Sequence, residues 1–417
     1  MPCSPSTATE GIVLSASSPT DATPAPLIVS LIALSVLSPM SIQIFVPALP
    51  FIVAEFGVSA NVAQLTITLS LVITGIATLF FGPLSDRYGR RRVVLASLAV
   101  YAISSAICAL SPDIETLVLM RNIQALGASS GVILARAIAV DRWGHNRSST
   151  ILSYLTMAMG LSTVLSPSLG GFLIDLFGWW APFAFGVLTG VGLFAIAWIG
   201  IPETAARPEG SFDLASMLRG IRRLIATPLF RGYALASGLV VGTFFSFIAA
   251  APYLVVDVLG KSATEYGLWF MLMPSGFITG SLISSQIAAR LGKARMCLIG
   301  GSVSLFGALA FAVAMLTQSL SIPAMFLPAM CIGLGNGLLM PSAQAGALSV
   351  DARLVGTASG LAGFVMNLIA AGASQIVAFF ADGTPRAVVA MVLLCAASGF
   401  ASALWASRVE RRAQSTP

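Results

Sequence analysis

Charge is scarce in this chain. Only 9% of its 417 residues are Asp, Glu, Lys or Arg, against about a quarter in an ordinary soluble domain. So few ionisable side chains cannot cover the surface of a soluble protein of this length. Histidine is nearly absent, with His145 alone. The five cysteines (Cys3, Cys108, Cys297, Cys331 and Cys395) are scattered, four of them in apolar stretches, with no Cys-x-x-Cys pair and no Cys/His cluster. They read as small apolar side chains, not as a disulfide scaffold or a metal site. The phosphate-cradling pattern G-x-x-x-x-G-K-[ST] is missing, which speaks against a nucleotide-driven pump. These absences exclude a soluble globular enzyme, a disordered chain and a nucleic-acid-binding module.

Long apolar runs are what the sequence has in abundance. Hydrophobic residues make up 57% of the chain and the mean hydropathy is +0.93. The runs are continuous, so they do not alternate as the strands of a membrane barrel do. Each is close to the roughly 20 residues that cross a bilayer as a helix. They fall near 27–49, 61–82, 93–111, 115–139, 150–174, 181–200, 231–252, 264–288, 295–317, 321–346, 354–380 and 386–406. The expectation is an all-α membrane protein of twelve spans in two six-helix bundles, 27–200 and 231–406. A disordered tail at 1–26, a long connection at 201–230 and a tail at 407–417 complete it. The first 26 residues hold no Lys or Arg and no compact apolar core, so they do not read as a signal peptide.

The basic residues give a direction. With the N-terminus placed in the cytoplasm, nineteen of the 22 Lys and Arg fall in cytoplasmic loops or tails and only Lys261 and Arg386 in outer loops. Arg121 lies inside span 4. Such an asymmetry is the positive-inside pattern. It accounts for the net charge of +6 without nucleic acid. Both termini are then expected in the cytoplasm. The segment Asp86-Arg-Tyr-Gly-Arg-Arg-Arg92, between spans 2 and 3, recurs in weaker form as Ala289-Arg-Leu-Gly-Lys-Ala-Arg295, between spans 8 and 9. Half-chain repeats are common where two bundles rock around a midplane site.

Three motifs carry chemistry. Gly82-Pro-Leu-Ser-Asp-Arg-Tyr-Gly-Arg-Arg-Arg92 closely resembles the loop 2–3 signature of the major facilitator superfamily. Gly82 and Pro83 are expected to end a helix and Gly89 to make a tight turn. Asp86, Arg90 and Asp141 then form a charge relay that gates the inner side. Span 4 carries Arg121-Asn-Ile-Gln124, which resembles the superfamily's motif there. Arg121 and Gln124 share a helix face, and a charge at membrane depth usually faces a cavity. Span 5 carries Gly160 and Ser166-Pro167-Ser-Leu-Gly170-Gly171, similar to the superfamily's antiporter motif. It tilts the resemblance towards export.

Val46-Pro-Ala-Leu-Pro50, Gln64-Leu-Thr-Ile-Thr-Leu-Ser70, Gln124-Ala-Leu-Gly-Ala128, Leu134-Ala-Arg-Ala-Ile138 and Ile201-Pro-Glu-Thr204 narrow the resemblance to the drug-exporter branch. Phe244-Phe-Ser-Phe247, Ala251-Pro-Tyr253 and Tyr266-Gly-Leu268 follow the same layout. Together they are similar to the bicyclomycin/chloramphenicol-resistance (Bcr/CflA) subfamily. The resemblance implies a monomeric multidrug exporter in the bacterial plasma membrane, an antiporter without a cofactor, driven by the proton gradient and carrying small neutral or anionic amphiphiles such as phenicols. One position departs from it. Members usually have an acid four residues before the span-1 Pro-Ala-Leu-Pro, where this chain has Gln43. No other acid falls clearly at mid-membrane, and Asp175, near the outer end of span 5, is the nearest substitute, expected beside Arg121. The expected substrate cavity is lined by Gln43, Met157, Phe244, Phe247, Trp269, Met273, Asn336 and Asn367. Two alternatives stay open: a facilitator or importer of a metabolite on the same fold, and a membrane-embedded enzyme, for which clustered nucleophiles, bases or metal ligands are lacking.

Overall fold

The computed structural model describes residues 25–204, 214–317, 320–351 and 354–415. The N-terminal tail to residue 24, the connection at 205–213 with Arg207, and Arg353 lie outside the described residues. Among those described, no strand forms. Twelve helices are long and apolar enough to cross a membrane: Pro26–Phe56, Ala60–Tyr88, Arg90–Ala109, Ile114–Gly144, Thr150–Phe177, Ala181–Gly200, Pro228–Val258, Ala263–Ala288, Lys293–Thr317, Ile322–Leu348, Val355–Phe379 and Arg386–Arg412. We number them spans 1 to 12 and call the arginine-rich end of the bundle inner.

Several helices run past the apolar segments that announce them. Span 2 continues through Gly82 and Pro83 to Tyr88, so these two residues do not end it. Proline costs only one hydrogen bond there, and the helix closes a turn later at Gly89, whose φ of 96° is open to glycine and strained for other residues. Gly292, its counterpart in the repeat, closes span 8 with φ 81°. The long connection holds a strongly amphipathic helix, Leu214–Ala226. The last helix extends to Ser415, across much of the expected C-terminal tail.

Three spans break, all towards the outer end. Span 1 is helical over Ala25–Gln43, then passes through a 3-10 turn at Val46–Ala48 into Leu49–Phe56. Pro47 has no N–H to offer the carbonyl of Gln43, and Pro50 repeats the deficit. Span 7 ends in a π-helical turn at Leu254–Val258, just after Pro252. Span 8 consists of Ala263–Phe270 and Leu272–Leu291, parted at Met271 three residues before Pro274.

Lipid offers no hydrophobic force between helices, so close backbone approach and internal hydrogen bonds must hold them together. The halves meet along two antiparallel pairs of spans. Between spans 2 and 11, Gln375 Nε2 donates to the Asn61 carbonyl at 3.1 Å. The hydroxyls of Thr68 and Ser374 lie 3.4 Å apart, and Thr78 donates to the Gly360 carbonyl at 3.3 Å. Between spans 5 and 8 the outer contact is backbone on backbone. A side chain at Gly171 would collide with the Ala263 carbonyl, and one at Gly267 would reach within 2.5 Å of Ser168 Cα. At Gly160, further in, the nearest atom across the interface is 3.8 Å away, ordinary contact with Ile278.

The cores follow this asymmetry. At the outer end one apolar cluster draws on both halves, joining Phe45, Ile52, Ile67 and Leu71 to Phe247, Tyr266, Phe270 and Met325. At the inner end each half has its own, one around Leu31, Leu98 and Ile138 and the other around Tyr233, Leu339 and Ala406. Cross-linking checks this closure. In a chain stripped of its other cysteines, Thr68→Cys with Ser374→Cys is expected to form a disulfide on mild oxidation, read as a gel shift that reductant reverses. Failure to cross-link would mean that spans 2 and 11 are not paired in this register.

Candidate functional site

Arg121 occupies the middle of the first half and is 1% exposed. The break in span 1 supplies its main partners. Its Nη2 donates to the Ser41 carbonyl at 2.8 Å and its Nη1 to Ser41 Oγ at 3.0 Å. Nη1 also donates to Gln124 Oε1. Gln124 Nε2 donates in turn to Ser105 Oγ at 2.6 Å. The guanidinium stacks on two rings, 4.5 Å from the centre of Phe45 and 5.9 Å from that of Phe183. A side chain at Gly186, on span 6, would press within 3.1 Å of Ser105 Oγ and 3.4 Å of Gln124 Nε2, so glycine there leaves room for the network. Ser41 and Ser105 escape a sequence reading because an isolated serine in an apolar helix carries no pattern.

Every recorded partner of Arg121 is neutral. Arginine stays protonated in proteins, so a full positive charge is held here by dipoles and ring faces without a carboxylate. Its Nε has no partner. Nor have Oε1 of Gln43, both amide atoms of Gln64 or the hydroxyls of Tyr253 and Tyr266. A buried polar atom left unpaired costs about 1–3 kcal/mol. Gln64 lies on the face of span 2 that carries Asn61 and Thr68 to span 11, three and four residues along. Unpaired hydrogen-bonding groups thus accompany the closed outer end of the interface.

Asp175 is not beside Arg121. Its carboxylate accepts from the backbone N–H groups of Ala263 at 3.2 Å and Thr264 at 2.8 Å, and from Thr264 Oγ1 at 2.5 Å. Span 8 begins here, where the first N–H groups of a helix lack carbonyl partners within it and its positive end attracts a carboxylate; Ser262 Oγ takes the N–H of Glu265 at 3.0 Å. Counting residues gives the depth of Asp175 correctly, but not the side of span 5 it faces. Gly170 and Gly171 point to different neighbours. A side chain at Gly170 would strike the Ile44 carbonyl of span 1, whereas Gly171 meets span 8. Pro167 lies inside the helix and its carbonyl would be 2.6 Å from a side chain at Gly267.

At the inner end Arg90 binds Asp86 at 2.7 Å and Asp141 at 3.0 Å. It also donates to Ser85 Oγ and, at 3.5 Å, to the Gly82 carbonyl. Glu203, just beyond span 6, completes the cluster by accepting from the backbone N–H of Arg90 at 2.8 Å. It caps span 3, and a side chain at Gly89 would collide with it. Sequence reading quotes Glu203 within Ile201-Pro-Glu-Thr204 but assigns it no role. All these groups belong to the first half.

The remaining cavity candidates divide. Gln43 is buried at the break of span 1; Asn367 lies at the junction of the halves, donating to the Gly363 carbonyl on its own helix at 2.9 Å and abutting Gly75 of span 2. Phe244 is partly buried and meets Phe270 edge to face at 5.9 Å. Met157, on the inner half of span 5, is 67% exposed. Trp269 tilts against Phe326 at 6.4 Å. Three others are packed side chains, Phe247 and Met273 within the outer cluster that both halves share. Phe247 is enclosed by Phe311 and Phe326, Met273 is buried, and Asn336 accepts from Ser304 Oγ at 2.9 Å. Packing decides these cases, since an apolar or amide side chain has the same signature in a core and in a cavity.

The fold and the sequence both have known counterparts. Solved structures that align include a bacterial homologue of the human lysosomal transporter Spinster, captured inward-facing and unoccupied, with a TM-score of 0.75 at 17% identity over 92% of this chain and 96% of that one. A D-xylose–proton symporter aligns with a TM-score of 0.68 at 17% identity over 90% and 96%. Among relatives, an uncharacterized transporter of Rickettsia felis is 29% identical over 90% of this chain and 94% of its own. A chloramphenicol resistance protein of Pseudomonas aeruginosa is 29% identical over 77% and 76%. A bicyclomycin resistance protein homolog of Haemophilus influenzae is 25% identical over 84% and 88%. The profile of the Major Facilitator Superfamily matches residues 31–374. The chain belongs to that superfamily and is a membrane transporter, not an enzyme.

Proposed function

We propose that this transporter exports small neutral or anionic amphiphiles, phenicol-like in character, by alternating access. The reading puts the protein in a bacterial plasma membrane with both termini in the cytoplasm, the side on which nineteen of its basic residues then fall. The resistance names of two of its relatives support export of drug-like compounds.

Arg121 is the observation that carries the substrate class. Its charge is buried with neutral partners only, and nothing near it offers a counterion to a lipophilic cation. At ~6 Å and an effective dielectric of 20 a cation would be repelled by roughly 3 kcal/mol. A neutral or anionic compound escapes that cost, and the unpaired Oε1 of Gln43 and amide of Gln64 suit its hydrogen-bonding groups. The core shared at the outer end and divided at the inner end corresponds to a state closed to the outside.

Chloramphenicol is accordingly expected to be expelled more efficiently than ethidium by cells lacking their own exporters. Ethidium efflux without chloramphenicol efflux would reverse the assignment. Arg121→Ala is expected to reduce transport at least tenfold while leaving the protein in the membrane, because Ser41, Gln124 and the two rings lose their common partner. Transport at the natural rate in that variant would make Arg121 a structural charge only.

Coupling to protons follows from Gln43. An amide does not titrate, and Asp175 is committed to capping span 8. The natural protein is therefore expected to respond weakly to a pH gradient. Gln43→Asp would place a titratable carboxyl two residues from Ser41, and efflux from vesicles at several imposed pH differences should become steeper. Full dependence in the natural protein, unchanged in the variant, would show that another group carries the proton.

A further inference from the structure

Arg91 neighbours the gating arginine but belongs to a different structure. Its side chain crosses to the inner end of span 6, where Nη2 donates to the Trp198 carbonyl at 2.6 Å. That carbonyl is one of the last four of its helix and has no acceptor role within it. The guanidinium also stacks over the Trp198 ring at 5.4 Å. Its Nε is without a partner and it forms no ion pair among the described residues. Trp198 is 57% and Ile199 87% exposed. Phe194 stacks on Trp198 at 6.0 Å with a 23° tilt. Phe194, Ala195, Trp198 and Ile199, all on span 6, line a shallow, open recess of about 360 Å³ on the exposed side of that helix.

We propose that this recess holds one acidic phospholipid, its phosphate on Arg91 and part of an acyl chain along Phe194, Trp198 and Ile199. The charge argument selects the headgroup. Arg90 is already neutralised by Asp86 and Asp141, whereas Arg91 keeps unused donors in a planar fork that suits a phosphate. The apolar lining selects a chain-bearing ligand over free phosphate. The level selects the bilayer as the source, since tryptophan and arginine anchor at the headgroup boundary. A second arginine–tryptophan contact lies at the same end of the other half, on a different pair of spans: Arg231 of span 7 is 5.5 Å from the ring of Trp405 on span 12.

Native mass spectrometry of the whole protein, released from detergent with equal amounts of dioleoyl-phosphatidylglycerol and dioleoyl-phosphatidylcholine, tests this. The natural protein is expected to retain one phosphatidylglycerol in preference to phosphatidylcholine. Arg91→Ala should lower that preference about tenfold, as for loss of a charge-assisted bond. Arg91→Lys, which keeps the charge but loses the fork, should lower it less. Arg92→Ala should leave it unchanged. Equal retention of the two lipids by the natural protein, which needs no variant, would overturn the site. An equal loss in Arg92→Ala would overturn it too, because the attraction would then be diffuse. So would a second copy of the chain seated on this face in place of lipid.

Discussion

Backbone contact between spans 5 and 8 fixes the arrangement of the two halves, and the rest of the molecule is arranged around it. No hydrophobic force draws helices together within lipid, so two six-helix bundles need either close approach or polar pairing to stay in register. Gly171 and Gly267 provide the approach. Asp175 provides the polarity by capping the start of span 8. Both lie at the outer end. A single apolar core therefore forms there, while the inner ends keep separate cores. The loose contact at Gly160 marks where the tight part of the seam ends.

The same seam reaches Arg121 through span 1. Pro47 breaks that span, and the break turns the Ser41 carbonyl over to the arginine. Ile44, in the break, rests its carbonyl against Gly170, the neighbour of the glycine that holds span 8. Two successive residues of span 5, Gly170 and Gly171, thus touch the proline break of the first half and the opening turn of the second. A shift of span 8 along span 5 bears on the helix that also meets Ile44, three residues after the Ser41 that holds Arg121. The small residues of span 5 turn two neighbouring faces of one helix, about 100° apart, to the break of span 1 and to the start of span 8.

How much of this could be read from sequence depends on the kind of information. Twelve long apolar runs and the arginine bias declare spans and order, since a bilayer demands both. Helix ends are less legible, because helices continue into the headgroup region where polar residues are tolerated; Asp86 sits in the last turn of span 2 for this reason. Relations within one helix, as between Arg121 and Gln124, follow from spacing alone. Relations between helices do not. Asp175 and Arg121 share neither a helix nor a facing side, Asn336 and Phe247 turn into their own bundle, and Glu203 reaches span 3 only because its chain folds back beneath span 6. Direction around a helix axis is set by packing, and packing leaves little trace in a uniformly apolar sequence.

The inner end shows what closing it would require. Arg90 finds all its recorded partners within the first half, so it stiffens the inner ends of spans 2, 3 and 4 and leaves the second half unattached. Towards the inner end, spans 2 and 11 meet at Thr78, Leu79 and Gly360. One turn further in, both helices present a glycine, Gly82 and Gly356, and a side chain at either would meet nothing within 4 Å. The antiparallel register that joins Thr78 to Gly360 would set these two against each other. Zipping the seam by one more turn therefore meets no steric obstacle and brings the second half onto the carbonyl of Gly82, which Arg90 already touches. Arg90 and its partners thus hold the inner face of span 2 in place without bridging to the second half.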